Sequence, residues 1–235
     1  MAPETLSFDE DGDLILILSK PATKRGESTN APHTTNLSDG GKSIPQAEEE
    51  NLAQDLEVRL LVSSKHMMVA SPVFKAMLHQ SKFKEGRKLH RKGSLELSLP
   101  DDNVMAMKIL LDIIHGRIRR VPRNVSLNQF AQISILVDKY QMAEAVEVIS
   151  DVWIKSLERN MPTSYDPDLV GPATEVHHWL GISWVFGKAD QFKAITQLIV
   201  FGCGPDFDLN VEGSPPIPVM IIGRCPSFEK DTMLT

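Results

Sequence analysis

Apolar positions along the chain follow two periods, and the places where one gives way to the other set out the elements. Residues 13–18, Asp-Leu-Ile-Leu-Ile-Leu, form a short, nearly continuous apolar run after the turn residues Asp11 and Gly12. This predicts a first strand, buried on both faces or in the middle of a sheet. Leu60, Leu61 and Val62 predict a second buried strand, which leads into two short helices ending near residue 78. Ser71 before Pro72 marks a helix start, because a serine hydroxyl accepts an orphan backbone N–H and proline has no N–H to lose at the first helical position. Phe74, Met77 and Leu78 then share one helical face. Residues 94–99 alternate strictly and put Leu95, Leu97 and Leu99 on one face of a half-buried strand. Pro100, Asp101 and Asp102 end it and predict an acidic N-cap for a helix over 104–115. That helix carries Val104, Met107, Leu111 and Ile114 on one face, and Gly116 closes it in the left-handed conformation.

Helical spacing dominates the second half. Ser126 with Gln129 has the form of a capping box, and Leu127, Phe130, Ile133, Leu136, Val137 and Tyr140 line the helix behind it. A further helix from about Met142 presents Val146, Ile149, Trp153 and Leu157. Residues 162–172 interrupt the pattern, and helices over 175–186 and 189–201 follow, ended by Gly187 and Gly202. Four segments show neither period. Residues 1–8 read as an acidic tail and 80–93 as a basic polar linker containing Phe83. Residues 19–55, with the Glu48-Glu49-Glu50 run, cannot bury enough apolar surface to offset their ordering entropy, and they predict a disordered insertion. Residues 204–235, with prolines at 205, 215, 216, 218 and 226, predict an irregular tail.

Composition narrows the function classes. At 42 % apolar residues the chain can fill a core, and its net charge of −6 disfavours wholesale binding to nucleic acid or an anionic membrane. Cys203 and Cys225 are the only cysteines and lack close Cys or His companions, so a reducing compartment is expected, with neither a disulfide framework nor a zinc module. No secretory h-region opens the sequence and no apolar run reaches membrane-spanning length. The glycosylation patterns at Asn36 and Asn124 are therefore taken as chance.

Candidate chemistry is sparse. Ser64 and His66 invite comparison with a hydrolase, but no carboxylate or second ligand stands at a workable spacing, and His66 reads as a structural residue at a strand-to-helix corner. His177 and His178, adjacent on a helix, point about 100° apart and read as a solvated pair. Residues 181–188 resemble a phosphate loop only superficially, since five residues separate the glycines and Ala189 stands where a hydroxyl should hold magnesium. No catalytic residue, cofactor site or metal site is assigned. Arg117, Arg119, Arg120 and Arg123 form a positive patch, read as a solvated connector after a helix C-terminus, where arginine suits the dipole. Met67, Met68, Met77, Met105, Met107 and Met142 are read chiefly as core filling.

The stretch RLLVSSKHMMVASPVFKAML at 59–78, the later LSLPDD and LVDKYQM at 136–142 together resemble the BTB/POZ domain, particularly the stand-alone proteins of filamentous fungi. The family pattern is met by Val62, His66, Met67, Met68, Ser71, Pro72, Phe74, Met77 and Leu78. The resemblance implies an α/β (α+β) fold over 9–120, a small mixed sheet covered by helical hairpins, with an all-helical extension over 121–203. It implies a non-enzymatic adaptor in the cytoplasm or nucleus that binds protein partners, with no small-molecule substrate. In family members that bind a cullin ubiquitin-ligase scaffold, an apolar residue, any residue and then Glu follow the helical hairpin, and Phe83-Lys84-Glu85 stands at that place, although the plainer expectation is that Phe83 tucks back onto its own domain. The remaining interface candidates are Met105, Lys108 and Asp112 on the helix from Val104, with Arg117, Arg119 and Arg120 beyond it. The alternatives are a nuclear protein that recruits corepressors and, more remotely, a hydrolase around Ser64 and His66. Longer BTB domains dimerise through an extra N-terminal helix for which no counterpart precedes the first strand, so an obligate swapped dimer is not expected and homodimerisation stays open.

Overall fold

The structure, a computed structural model, describes residues 4–20, 56–164 and 170–202. Of the predicted insertion, Ser19 and Lys20 belong to a strand and residues 21–55 lie outside the described residues, as does the predicted irregular tail. The described chain is a mixed α/β fold. Its strands are β1 (Glu4–Ser7), β2 (Leu14–Lys20), β3 (Leu56–Val62) and β4 (Leu95–Ser98), and they form one sheet in the order β1-β3-β2-β4. β2 runs antiparallel to β3, with Leu16 opposite Leu60, while β1 lies parallel to β3 and β4 parallel to β2.

One face of the sheet is apolar and covered. Leu14, Leu16, Leu18, Val58, Leu60, Val62 and Leu95 are all buried. The opposite face carries Ile15, Ile17 and Leu61 half-buried, with Arg59 paired to Glu57 at 3.1 Å and to Glu96. Of the two placements expected for β2, the one in the middle of the sheet holds, and only one of its faces is fully buried. The described helices cover the inner face, so strand alternation sorts the residues into a dry face and a half-open one.

The sequence expectations need three corrections here. Residues 4–7, read as part of an acidic tail, form β1, because β3 offers a free edge and register pairs Leu6 with Leu60. Residues 84–92, read as linker, form a helix. The helices in order are α1 (Ser64–Ala70), α2 (Pro72–Leu78), α3 (Lys84–Lys92), α4 (Val104–Ile114), α5 (Leu127–Tyr140), α6 (Ala143–Leu157), α7 (Val170–Val185) and α8 (Ala189–Gly202). α7 starts earlier than its spacing suggested and takes Pro172 into its first turn, where the missing N–H costs nothing. Gly116 and Gly187 adopt the left-handed conformations expected of them, at φ 69° and 62°.

A continuous apolar core runs from the inner sheet face through α4 and α5 to α7 and α8. Met67, Met107 and Met142 are fully buried in it, whereas Met105 is 58 % exposed. In α7 every residue from Val176 to Ser183 is buried. His177 and His178 are therefore not a solvated pair. Burial, helped by the neighbouring His177, holds the His178 imidazole below its ordinary value. No described helix is long and apolar enough to cross a membrane.

Candidate functional site

A concavity lies where the helical cover leaves the β4 edge of the sheet. Its construction starts at Ser71. The Ser71 Oγ accepts the Phe74 N–H at 3.0 Å, which caps α2, and donates to the Tyr140 carbonyl at 2.5 Å. The Phe74 and Tyr140 rings stack at 4.7 Å. The start of α2 is thus pinned to the end of α5, and Phe74 and Leu78 are buried while Pro72, Val73, Ala76 and Met77 form one wall of a groove. β4, at the edge of the described sheet, supplies Leu97, and Leu99 just beyond its end adds a second half-buried side chain. Gln141 adds a polar corner. It is left-handed at φ 53°, an uncommon conformation for a residue with a Cβ, held by its N–H donating to the Val137 and Asp138 carbonyls.

α3 closes the groove. Gly86 lets it approach the end of α2, since a Cβ there would overlap the His79 carbonyl. This brings Phe83, the N-cap residue, and Glu85 to the groove rim. Phe83 is 51 % exposed, so it does not tuck back into its own domain. The groove has a volume of about 600 Å³ and an apolar lining broken by Glu85, Ser98 and Gln141.

The other residues singled out in the sequence are placed elsewhere. Met105 is exposed and Lys108 half-exposed on α4, and neither lines the groove. Arg117, Arg119 and Arg120 border a separate hollow of about 420 Å³. Within that set Arg117 is committed internally: its Nη1 donates to the Ser7 carbonyl at 2.7 Å, its Nε lies 3.7 Å from Asp112, and its guanidinium sits 5.1 Å over the Phe8 ring. It therefore fastens the end of β1 to α4. Asp112 is largely buried, and desolvation raises its carboxyl above the ordinary range against the pull of Arg117 and Arg120. Arg119 and Arg120 remain exposed.

The strand-to-helix corner is built differently from the expectation placed on His66. His66 is 54 % exposed, with its Nδ1 3.9 Å from Asp9. His115, at the end of α4, holds the corner instead: its Nε2 accepts the Ser63 N–H at 3.1 Å and its Nδ1 meets the Leu111 carbonyl at 2.9 Å. Burial holds this imidazole below its ordinary value although the Leu111 carbonyl pulls the other way. Ser64 is buried, and both its N–H and its Oγ–H donate to the Asp13 carboxylate at 2.7 Å. Two positions apart on a helix, Ser64 and His66 face opposite ways, one inward and one to solvent, which does not assemble a nucleophile with its base.

Asp102 also departs from its expected role. The N-cap of α4 is Asn103, whose side chain accepts the Ala106 N–H at 3.0 Å. Asp102 is buried and accepts from Tyr140 Oη and Lys139 Nζ, each at 2.5 Å. Burial and this carboxylate raise the Tyr140 phenol well above its ordinary value. Sequence reasoning missed His115 and gave Asp102 a local capping role because their partners lie far along the chain, and it missed Gln141 because nothing local marks it as a groove residue. Leu97 and Leu99 were legible as one strand face, but not as a groove wall. Among the described residues, no group of three or more His, Cys, Asp or Glu is arranged to hold a metal ion.

Fold and site together define a mixed α/β chain with a partly open apolar groove at a sheet edge. Compared with known protein families and with curated proteins, the chain matches none.

Proposed function

We propose that the chain is a BTB/POZ-type adaptor, a non-enzymatic module that binds another protein through the groove between α2, α3 and β4. The partner class this reading favours is a cullin-type ubiquitin-ligase scaffold, met in the cytoplasm or nucleus. One observation carries it: Phe83 stands half-exposed on the rim of an apolar groove, with Glu85 two positions along. A half-exposed aromatic beside an acid is the arrangement of an anchor that enters a partner surface while a rim charge meets a cation. Further support comes from the three stretches that carry the family resemblance. They meet in space, since Ser71 and Phe74, Asp102, and Tyr140 are joined by hydrogen bonds and ring stacking.

The test is capture from cell extract with wild-type, Phe83→Ala and Glu85→Ala proteins, read by cullin immunoblot. Loss of Phe83 should cost about 2 kcal/mol, roughly a thirtyfold drop in affinity. Equal capture by all three proteins removes the groove from the interface, and no capture by the wild type removes the ligase assignment.

A further inference from the structure

α3 has two faces of opposite character. Gly86 and Leu89 turn inward and are buried. At 100° per residue, Lys84, Arg87, Lys88 and Arg91 gather on the other side, at spacings of three, four and seven, and all four are exposed. The helix holds five Lys or Arg residues against one Glu, in a chain whose net charge is −6. Helix stability accounts for only part of this. Arg91 and Lys92 suit the negative end of the helix dipole, but Lys84 stands at the positive end and like charges three and four apart repel. Lys84 meets Glu85 at 3.7 Å, whereas Arg87, Lys88 and Arg91 form no ion pair among the described residues.

We propose that this basic ridge, together with the groove it adjoins, docks an acidic segment of a partner protein that also carries an apolar anchor. The acids pair with Lys84, Arg87, Lys88 and Arg91, and the anchor enters the groove beside Phe83. The inference rests on the groove being an interaction site and specifies the chemistry of what enters it. Charge complementarity alone would also admit nucleic acid. The neighbouring groove separates the two: its apolar walls reward a leucine-like side chain and offer nothing to a phosphate backbone, and the negative net charge opposes a polyanion at longer range. From Lys84 to Arg91 the ridge is about 10 Å long, and about three residues of extended chain cover it.

The probe is a short fluorescein-labelled peptide rich in aspartate and glutamate with one central leucine, titrated by fluorescence anisotropy against the full chain. The variants are the double charge reversal Lys88→Glu, Arg91→Glu and the single change Phe83→Ala. The reversed residues are exposed, and circular dichroism checks that the fold is kept. The wild type should bind the peptide and the double reversal should weaken it about tenfold or more. Phe83→Ala should weaken it as well, and a single-stranded oligothymidine of equal charge should bind less tightly than the peptide. Equal peptide affinities for wild type and double reversal overturn the proposal, as does tighter binding of the oligonucleotide. Cullin capture separates this from the broader reading. Wild-type protein that binds the peptide but captures no cullin keeps the ridge and discards the ligase; protein that captures cullin regardless of the reversal and ignores the peptide discards the ridge alone.

Discussion

Replacing Ser71 by alanine should remove far more stability than one hydroxyl ordinarily supplies, because that hydroxyl serves two elements at once. It caps α2 through the Phe74 N–H and satisfies the Tyr140 carbonyl at the end of α5, at a site with no solvent exposure. Loss of the cap costs about 1 kcal/mol. Leaving a buried carbonyl without this donor costs about 1–3 kcal/mol more, since no water reaches the site to replace it. The sum is roughly 3 kcal/mol, which for a chain of this size lowers the melting temperature by roughly 6–12 °C. The assay is urea unfolding followed by tryptophan fluorescence, with Trp153 and Trp179 buried in the core as reporters. Ser71→Thr, which keeps the hydroxyl, should lose less than Ser71→Ala. A loss below about 1 kcal/mol for Ser71→Ala would show that the α2–α5 junction is held by the Phe74–Tyr140 stack and not by the hydroxyl, which refutes the reasoning.

Two further outcomes follow from the geometry. His115 is held neutral, with an ordinary value of 6.5 lowered on folding, so its contribution is fully present above that value and is lost as pH falls through it towards the folded value. Protonation would also turn the Nε2 acceptor for the Ser63 N–H into a donor. Unfolding free energy of the wild type should therefore fall more between about pH 7.5 and pH 5.5 than that of His115→Gln, and parallel pH profiles would remove His115 from the account. Gly86→Ala forces a Cβ into the His79 carbonyl, and with only Gly86 and Leu89 buried on α3 the helix should detach before the core yields. The cost is about 1–3 kcal/mol, visible as faster hydrogen exchange of α3 amides while those of β2 and β3 stay protected; unchanged α3 exchange would contradict it.

Much of the fold was legible because its signals are local. The Ser71-Pro72 start, the Ser126 cap, the alternation of Leu95, Leu97 and Leu99 and the glycines closing α4 and α7 all act through neighbours within a few residues. α3 was missed because it buries only Gly86 and Leu89, too few positions for apolar periodicity to register. Its lysines and arginines were nonetheless good helix formers, and weighing that propensity beside the periodicity would have found it. Of the site, Phe83 and Glu85 were readable in order and spacing, whereas Arg117 and Asp112 were grouped with the surface although one holds β1 and the other is largely buried.

By itself, then, the sequence determined where β2, α2, α4 and α5 begin, which of their faces are apolar and that Phe83 follows a helical hairpin. Only the tertiary structure decided that residues 4–7 are a strand, that Asp102 ties the β4–α4 turn to α5, and that His115 rather than His66 braces the corner. It alone assembled the groove and turned the basic stretch of α3 outward beside it. The reason is physical. Caps and periodicity are settled within one or two helical turns, but a strand edge, a buried carboxylate and a groove exist only once segments tens of residues apart share a hydrogen bond or a wall.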